Sequence, residues 1–370
     1  MEFVHCGFNF SVCLGSMGVL WASGNNLQGQ LGSGDYEPRY VFKEVGSFAL
    51  ITQISCGRLH TVCLDESGKV WAFGDNSKCQ LGVTALDGVH SRCIPELVPI
   101  EAEITEICCG LDHTLCLDTN LECWSFGDNS YGQLGYSLRR SASYWHYDQK
   151  YDLEAAAPQV IPGAKEIRLL ACSNHSVLVD QTSSELRMFG DNSQQQFGVD
   201  TSHKQHKFTF LNLSHIGYIT KVVCNASATL LLNEEGQVYM AGTASISLQY
   251  PEFTHLEALV GVQHISAGEF FFTCIDDMGK LWTISDSDGT GSGELRIVEE
   301  IDTVISTSRG GSHVFALDRS GTVWAFGPNE DGQLGMGFAK LKKNVPPTKL
   351  SAKASQCLAG RRTRLKSARK

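Results

Sequence analysis

The sequence predicts an all-β fold, a propeller of seven blades, from three observations. A motif of the form VWAFGDNSxxQLG is written repeatedly along the chain, and a supersecondary unit repeated in this way buries its apolar face by stacking on its neighbours. The copies lie roughly 50 residues apart, the length of a blade of about four strands. The 370 residues include 37 Gly, and no window shows a long 3.6-residue apolar period, which disfavours helices.

Four copies of the motif are strong and three are degenerate. The strong copies are Val19–Gly32, Val70–Gly82, Cys123–Gly135 and Val323–Gly335. The degenerate copies are Leu186–Gly198, Val238–Gly242 and Leu281–Ser285. The residues that end the VWxFG segment are Gly24, Gly74, Gly127, Gly190, Gly242, Ser285 and Gly327, spaced by 50, 53, 63, 52, 43 and 42 residues. A single propeller over residues 1–350 accounts for all seven.

One copy shows how a blade is built. Ile51–Cys56 alternates polar and apolar residues and predicts a short strand. His60–Leu64 and Lys69–Phe73 are rich in β-branched and apolar residues, and Asp65–Gly68 between them predicts a hairpin turn in which Gly supplies the positive φ. Ile94–Ile100 is the predicted outer strand, with a Pro that an edge position tolerates.

The pattern G-x-x-H-T-x-x-L-x-x-x-G-x-V-W-x-F-G-x-N-x-x-G-Q-L-G resembles the repeat of the regulator of chromosome condensation family. The resemblance covers nearly the whole of residues 1–350 and implies a seven-bladed propeller, although the fifth and sixth copies lack GQLG and the His. The chain starts within a repeat, and its last copy ends at Val345–Leu350. We therefore expect Met1–Cys6 to complete the blade begun near Gly335, so that the N- and C-terminal strands pair and no sheet edge is left open.

Two features bear on the compartment. Phe8–Leu20 is apolar enough to resemble a signal peptide, but it lacks a basic start and aligns with the later repeat Leu59–Val70. We interpret it as a strand, with a cleaved leader as the alternative. The sequence contains no run of about 18 apolar residues, so we predict no transmembrane helix. We expect a cytoplasmic or nuclear protein that is not secreted.

The 14 cysteines fall on the repeat. One equivalent position holds Cys6, Cys56, Cys109 and Cys224, and another holds Cys13, Cys63, Cys116 and Cys274. In other copies we place at these positions Ala171, Ala267, Leu178, Leu231 and Ala316. Exchange with Ala and Leu indicates small buried hydrophobes, and no CxxC pair occurs. We therefore predict reduced thiols, typical of the cytosol or nucleus, with no metal or cofactor; a zinc site is the disfavoured alternative.

The charge is divided between an acidic body and a basic tail. Residues 340–370 hold 11 of the 30 Lys and Arg and no acid, so the other 339 residues carry 19 bases against 40 acids. We expect residues 351–370 to be disordered when free. This tail suits nuclear import or contact with nucleic acid or another anionic surface, with a solvated end as the equal alternative. The basic residues that we single out in this tail are Arg361, Arg362, Arg364, Lys366, Arg369 and Lys370.

Recurring polar residues have both a structural and a functional interpretation. The shared histidines are His60, His113, His175 and His313, where other copies carry Phe10, Ala228 and Phe271. Because the residue type is dispensable, we predict that they join blades by hydrogen bonds rather than form a metal or catalytic site. The aspartates of the GDNS turns are Asp75, Asp128 and Asp191. Three copies favour a turn-capping role.

The resemblance gives these turns a second interpretation. The founding member of the family is a guanine-nucleotide exchange factor for the small GTPase Ran and uses an acidic loop residue together with an inserted β-wedge. Asp128 and Asp191 are the candidates that the resemblance implies here, although no segment of this sequence matches the wedge.

The most individual segment is residues 136–158, which accounts for the 63-residue spacing. Its candidate partner-binding residues are Arg139, Arg140, Tyr144, Trp145, His146 and Tyr147. Arg and aromatic residues dominate binding hot spots, and long loops on rigid scaffolds often carry function. The alternative is an insertion whose aromatic residues pack back on the propeller.

The sequence thus favours a monomeric, regulatory protein-interaction propeller. It contains no P-loop, nucleophile elbow or metal-ligand spacing that would indicate an enzyme. The alternative function is nucleotide exchange on a Ran-like GTPase. Covalent catalysis of the hydrolase, kinase or oxidoreductase type is not expected.

Overall fold

The computed structural model describes residues 4–15, 18–46, 48–83, 90–137, 157–181, 185–200, 204–245, 248–285, 295–337 and 342–350. They form seven four-stranded antiparallel sheets, and in each sheet the strands lie in sequence order. This arrangement confirms the predicted seven-bladed β-propeller. Among these residues, no helix has the length and apolar composition that a membrane crossing requires.

Each blade contributes one strand to each of four concentric positions. The first, innermost strands are β1 (Val4–Cys6), β5 (Ile51–Cys56), β9 (Ile104–Cys109), β13 (Ile167–Cys172), β17 (Ile219–Cys224), β21 (Val262–Ala267) and β25 (Val304–Arg309). The second strands are β2 (Phe10–Leu14), β6 (His60–Asp65), β10 (His113–Asp118), β14 (His175–Asp180), β18 (Ala228–Asn233), β22 (Phe271–Asp276) and β26 (Val314–Asp318).

The third strands carry the VWxFG segments, and the outer strands vary most in length. The third strands are β3 (Leu20–Gly24), β7 (Val70–Asp75), β11 (Cys123–Gly127), β15 (Glu185–Asp191), β19 (Val238–Ser245), β23 (Leu281–Ser285) and β27 (Val323–Gly327). The outer strands are β4 (Arg39–Glu44), β8 (Ser91–Leu97), β12 (Gln159–Val160), β16 (Lys204–Asn212), β20 (Leu248–His255), β24 (Leu295–Ile297) and β28 (Val345–Lys349). The second blade's outer strand starts three residues before the predicted Ile94, because Ser91 pairs with Asp75.

This topology defines two faces. The loops from the first to the second strand and from the third to the outer strand lie on one face, which we call the upper face. The hairpins from the second to the third strand and the links between blades lie on the lower face. Four of the hairpins share a hydrogen bond that the sequence did not reveal, in which the first Asp of the turn accepts from the indole N–H of the following Trp. These pairs are Asp65–Trp71, Asp118–Trp124, Asp276–Trp282 and Asp318–Trp324, at 2.9–3.0 Å.

The hydrophobic core lies between blades rather than within one of them. At the first seam, buried Phe10 and Leu20 of the first blade pack with Ile54 and Phe73 of the second. Comparable clusters fill the other seams. A blade without its neighbours would therefore expose both apolar faces, which is the physical reason for a closed ring.

Closure differs from the prediction. Val4–Cys6 pairs with the second strand of the first blade and Val345–Lys349 with the third strand of the last, so the two terminal strands belong to different sheets. Each of the two blades is complete, and side chains join them: Val4 and Phe42 lie in one buried cluster with Phe315.

Candidate functional site

The second-strand histidines join adjacent blades, as the repeat predicted. Each Nε2 lies 2.7–3.3 Å from a hydroxyl of the next blade, and that hydroxyl donates to the carbonyl oxygen of the Gln of a QLG or QFG segment. The four relays are His60–Thr114–Gln80, His113–Ser176–Gln133, His175–Thr229–Gln196 and His313–Ser11–Gln333. Because the hydroxyl hydrogen is committed to the carbonyl, the imidazole must donate from Nε2, so the neutral ring is the Nε2–H tautomer.

The four histidines are dispersed over four seams. Over the ranges that the structure describes, no three His, Cys, Asp or Glu side chains come close enough to hold a metal ion. The four imidazoles are fully buried, and each belongs to a different seam. Their Nδ1 atoms have no hydrogen-bond partner among the described residues, so a second proton on the ring would be buried without an acceptor.

The upper face surrounds the mouth of the central channel. The loops after the first strands are tied from blade to blade by backbone hydrogen bonds, such as Arg58 N–H to Leu111 O at 2.9 Å and Leu111 N–H to Ser173 O at 3.1 Å. They line a cavity of about 80 Å³. A cavity of this size suits water better than a drug-sized ligand, so recognition at this face falls to its surface.

An aromatic pair lies beside the mouth. The rings of Phe8 and Phe270 are edge-to-face with centroids 6.1 Å apart, and Phe270 is 47% exposed. They come from the first and sixth blades, and the intervening blade carries Gly311, where a Cβ would lie 2.6 Å from the Phe8 ring. The missing side chain of the seventh blade thus allows the two aromatic rings to meet.

A charged cluster lies on the same face, across the seam of the second and third blades. The Asp112 carboxylate accepts from the Arg58 guanidinium at 2.5 Å and from Lys78 Nζ at 2.8 Å, and Lys78 also lies 3.1 Å from Asp128. Burial by itself raises the pKa of Asp112, but the hydrogen bond from Lys78 and the charges of Arg58 and Lys78 outweigh it and lower that pKa. The same pairs raise the pKa of Lys78 despite its partial burial. Asp112 therefore stays ionised and fixes both cations.

The predicted turn aspartates cap their own turns. Asp128 accepts from the Ser130 backbone N–H and hydroxyl, both at 3.0 Å, and Asp191 accepts from the Ser193 N–H at 2.9 Å. Asp75 makes the same bond to Ser77 at 3.0 Å. The structure places Asp128 in the charged cluster and Asp191 in the next blade, at the same position of its turn.

The insertion at residues 136–158 starts on the upper face, because it joins the third strand of the third blade to its outer strand. Tyr136 anchors its beginning: its hydroxyl donates to the Ser125 carbonyl at 3.2 Å, and burial raises the pKa of this phenol to about 12. The predicted partner-binding residues Arg139, Arg140, Tyr144, Trp145, His146 and Tyr147 lie outside the described residues, as does the basic tail.

One register assignment from the sequence was wrong. Cys172, rather than Ala171, occupies the position of Cys56 and Cys109, because Cys172 pairs with Ser176 as Cys109 pairs with Thr114. The fourth blade has CSNH where the third has CGLDH, so an alignment by length displaces this strand by one residue. The sequence also missed Phe8, Phe270, Lys78 and Asp112, whose only signal is that they depart from the repeat.

The fold and this face define a closed repeat propeller whose loops between the first and second strands surround the channel mouth. Comparison with known proteins identifies the repeat. Family models described as the regulator of chromosome condensation (RCC1) repeat match residues 17–64 and 67–117, and a second model of that repeat matches residues 51–80 and 104–133. Residues 17–133 thus carry RCC1-type repeats, within a propeller of seven four-stranded blades.

Curated proteins are similar to this chain in sequence, and solved structures are similar to it in fold. The human E3 ubiquitin-protein ligase HERC2 is 27% identical over 260 residues, which is 63% of this chain and 5% of HERC2. Human protein RCC2 is 32% identical over 245 residues, 64% of this chain and 41% of RCC2. The chain thus spans a small part of HERC2 and under half of RCC2. Yeast RCC1 (Prp20), solved with Kap60, superposes with a TM-score of 0.71 at 15% identity, covering 96% of this chain and 92% of that one.

Proposed function

We propose that this chain is a regulatory protein-interaction propeller without covalent catalysis, and that its upper face, together with residues 136–158, holds the protein partner. The observation that carries the proposal is the edge-to-face pair of half-buried Phe8 and exposed Phe270 beside the channel mouth. Aromatic residues and Arg supply most of the binding energy of protein interfaces. The untested insertion residues Arg139, Arg140, Tyr144, Trp145, His146 and Tyr147 would extend this surface with the same chemistry.

The scaffold favours binding by this face because its loops are fixed before the partner arrives. Backbone hydrogen bonds tie the Arg58 and Leu111 loops to their neighbours, and Asp112 fixes the Arg58 and Lys78 side chains. Groups that are already ordered lose less conformational entropy on association. The charged cluster also offers electrostatic complementarity at the rim of the aromatic pair.

Two variants test the upper face against a matched control on the lower face. One replaces residues 138–156 with a short Gly-Ser link, and the other is Phe270→Ala. The control is Met278→Ala, which removes another exposed apolar side chain, 71% exposed, from a lower-face hairpin. Quantitative affinity capture should show partner recovery reduced at least tenfold by either upper-face variant and unchanged by the control. Equal recovery from all three variants would contradict the proposal.

Nucleotide exchange on a Ran-like GTPase is the second candidate function. Its support is the fold shared with yeast Prp20, one solved structure of which, with a TM-score of 0.65, is described together with its binding properties to Gsp1p and histones. Against it stand the carboxylates of Asp128 and Asp191, which are engaged in their own turns. The test measures the release of a fluorescent GDP from Ran in the presence of this protein at micromolar concentration. Faster release that is abolished by Asp128→Asn or Asp191→Asn would favour exchange activity. Release that is not accelerated would rule out this function.

We further propose a monomer of the cytoplasm or nucleus whose basic tail contacts nucleic acid or another anionic surface. The thirteen described cysteines are all thiols, which suits a reducing compartment. Deletion of residues 351–370 from a fluorescent fusion should change its distribution in the cell. DNA binding is measured for the intact chain and for the same deletion. Binding that depends steeply on salt in the intact chain and is lost in the deletion would indicate phosphate contact rather than an import signal.

A further inference from the structure

The central channel below the mouth is lined by the seven first strands and encloses about 300 Å³. Five of its lining residues are thiols: Cys6, Cys56, Cys108, Cys172 and Cys224. Thiols inside a channel are within reach of small solutes, whereas the second-strand cysteines such as Cys63 and Cys116 are fully buried.

A fixed register relates neighbouring first strands. The last residue of one strand lies beside the next-to-last residue of the strand in the preceding blade. Cys109 shows this, since its backbone N–H donates to Ser55 Oγ at 2.9 Å and its Sγ lies 3.4 Å from the Ser55 carbonyl oxygen. Cys6 shows it at the closing seam, where its Sγ lies 3.7 Å from Ser308 Oγ.

At the seam between the third and fourth blades, both positions are cysteine. Cys172 Sγ donates to Cys108 Sγ with 3.0 Å between the two sulfur atoms. The same register sets different residue types against each other at the other six seams. Those juxtapositions are His5 with Cys56, Ser55 with Cys109, Ala171 with Cys224, Val223 with Ala267, Ser266 with Arg309 and Ser308 with Cys6.

We propose that Cys108 and Cys172 are a redox modification site, at which hydrogen peroxide forms a reversible disulfide across the seam of the third and fourth blades. The sulfur atoms must approach by only about 1 Å to reach the bond length of a disulfide, about 2.0 Å. The two cysteines lie on strands of neighbouring blades that already pack together, so rotation of the side chains supplies much of this approach. The proposal is independent of what the upper face binds.

The chemistry balances with one peroxide per disulfide. Cys108 is half-buried and lines the channel, so its sulfur attacks a peroxide oxygen, the O–O bond breaks, and a sulfenic acid and water form. The Cys172 sulfur then attacks the sulfenic sulfur, an S–S bond forms, and the departing hydroxide takes the Cys172 proton as water. Two thiols lose two electrons, which the peroxide gains, and an external dithiol reverses the reaction.

The surroundings assign the two roles. Burial, and then the neighbouring Cys108, raise the pKa of Cys172 well above its ordinary value, so Cys172 is the poorer first nucleophile. As a hydrogen-bond donor it instead stabilises negative charge on the Cys108 sulfur. Cys108 is therefore the thiol that peroxide oxidises, and Cys172 is the thiol that resolves the sulfenic acid.

The experiment uses the full chain, reduced and then exposed to hydrogen peroxide. Remaining thiols are alkylated, and the peptides from Glu-C and Asp-N digestion are analysed by mass spectrometry. We expect a Cys108–Cys172 cross-link, two fewer alkylated thiols per chain, and full recovery of both after dithiothreitol. Cys172→Ser should abolish the cross-link and leave a dimedone-reactive sulfenic acid on Cys108.

Cys109→Ser is the matched control, because Cys109 is adjacent to Cys108 but faces Ser55; this variant should keep the cross-link. Circular dichroism confirms that each variant is folded, and Cys108→Ala replaces Cys172→Ser if a buried hydroxyl prevents folding. Complete alkylation of Cys108 and Cys172 after peroxide treatment of the folded chain would overturn the proposal, as would loss of the cross-link in Cys109→Ser.

Discussion

Acid should destabilise this propeller from about pH 6.5 downwards, because four imidazoles are buried neutral. Burial lowers the pKa of His60 and His113 to about 4 and of His175 and His313 to about 3, from an ordinary value of 6.5. The unfolded chain binds these protons first. The stabilisation from the neutral rings is therefore complete above pH 6.5 and is lost progressively as the pH falls towards 4.

At pH 5 the proton uptake of the unfolded chain costs the fold about 2 kcal/mol per histidine, or about 8 kcal/mol for four, from about 1.4 kcal/mol per pK unit. Glu106 acts in the opposite direction, since burial raises its pKa to about 7, and offsets about 2 kcal/mol of this loss between pH 7 and pH 5. The net loss of about 6 kcal/mol is a large part of the stability of an ordinary domain, roughly 5–15 kcal/mol.

The assay is urea unfolding at constant ionic strength from pH 7.5 to pH 5, in the intact chain and in His313→Gln. The Gln amide still donates to Ser11 but does not titrate, so the variant should lose about 2 kcal/mol less over this range, whatever its stability at neutral pH. A free energy of unfolding that does not change between pH 7.5 and pH 5 would refute buried neutral rings. An unaltered pH dependence in His313→Gln would refute the assignment to this residue.

Further substitutions test the seams and turns by urea unfolding. At the closing seam, Gly335 has a φ of 65°, and an added Cβ would lie 2.4 Å from the Phe42 ring. Gly335→Ala should therefore lower the free energy of unfolding by about 1–3 kcal/mol more than the control Gly34→Ala, where φ is 80° and the Cβ meets open space. Equal losses in the two variants would contradict the packed seam. Asp112→Asn removes the charge that two cations share and should cost about 1–3 kcal/mol, less at high salt. Trp71→Phe breaks one hairpin hydrogen bond and should cost about 1 kcal/mol.

The sequence was sufficient for what every blade needs. The VWxFG segments, the hairpin turns and the histidine positions recur because each copy faces the same two neighbours, so one physical requirement is recorded several times. Closure was wrong for a related reason: a repeat fixes the length of a blade but not where the first blade begins. Val4–Cys6 is a first strand and Val345–Lys349 an outer strand, so all seven blades are complete and the ring closes between two sheets rather than within one.

That closing seam uses the same contacts as the others, which explains how a ring without shared terminal strands holds together. His313 reaches Ser11 at 2.9 Å, as the other three histidines reach their hydroxyls, and Phe42 packs edge-to-face on Phe315 with centroids 6.1 Å apart. Backbone contacts also cross this seam, among them the Val41–Met336 bridge and a hydrogen bond from the Gly337 N–H to the Tyr40 carbonyl at 2.7 Å. The free energy of closure thus comes from a seam of ordinary composition.

The features that distinguish this propeller are departures from its repeat, and a single sequence gives no measure of which departures matter. Gly311 lacks the side chain that would separate Phe8 from Phe270, and Cys108 replaces the Ser55 of the preceding blade. Each change acts only across a seam, on a residue about 40 to 300 positions away in the chain. Pattern reasoning compares a residue with its equivalents in other blades, whereas these interactions depend on its neighbour in the next blade, and that neighbour is known only once the register is fixed.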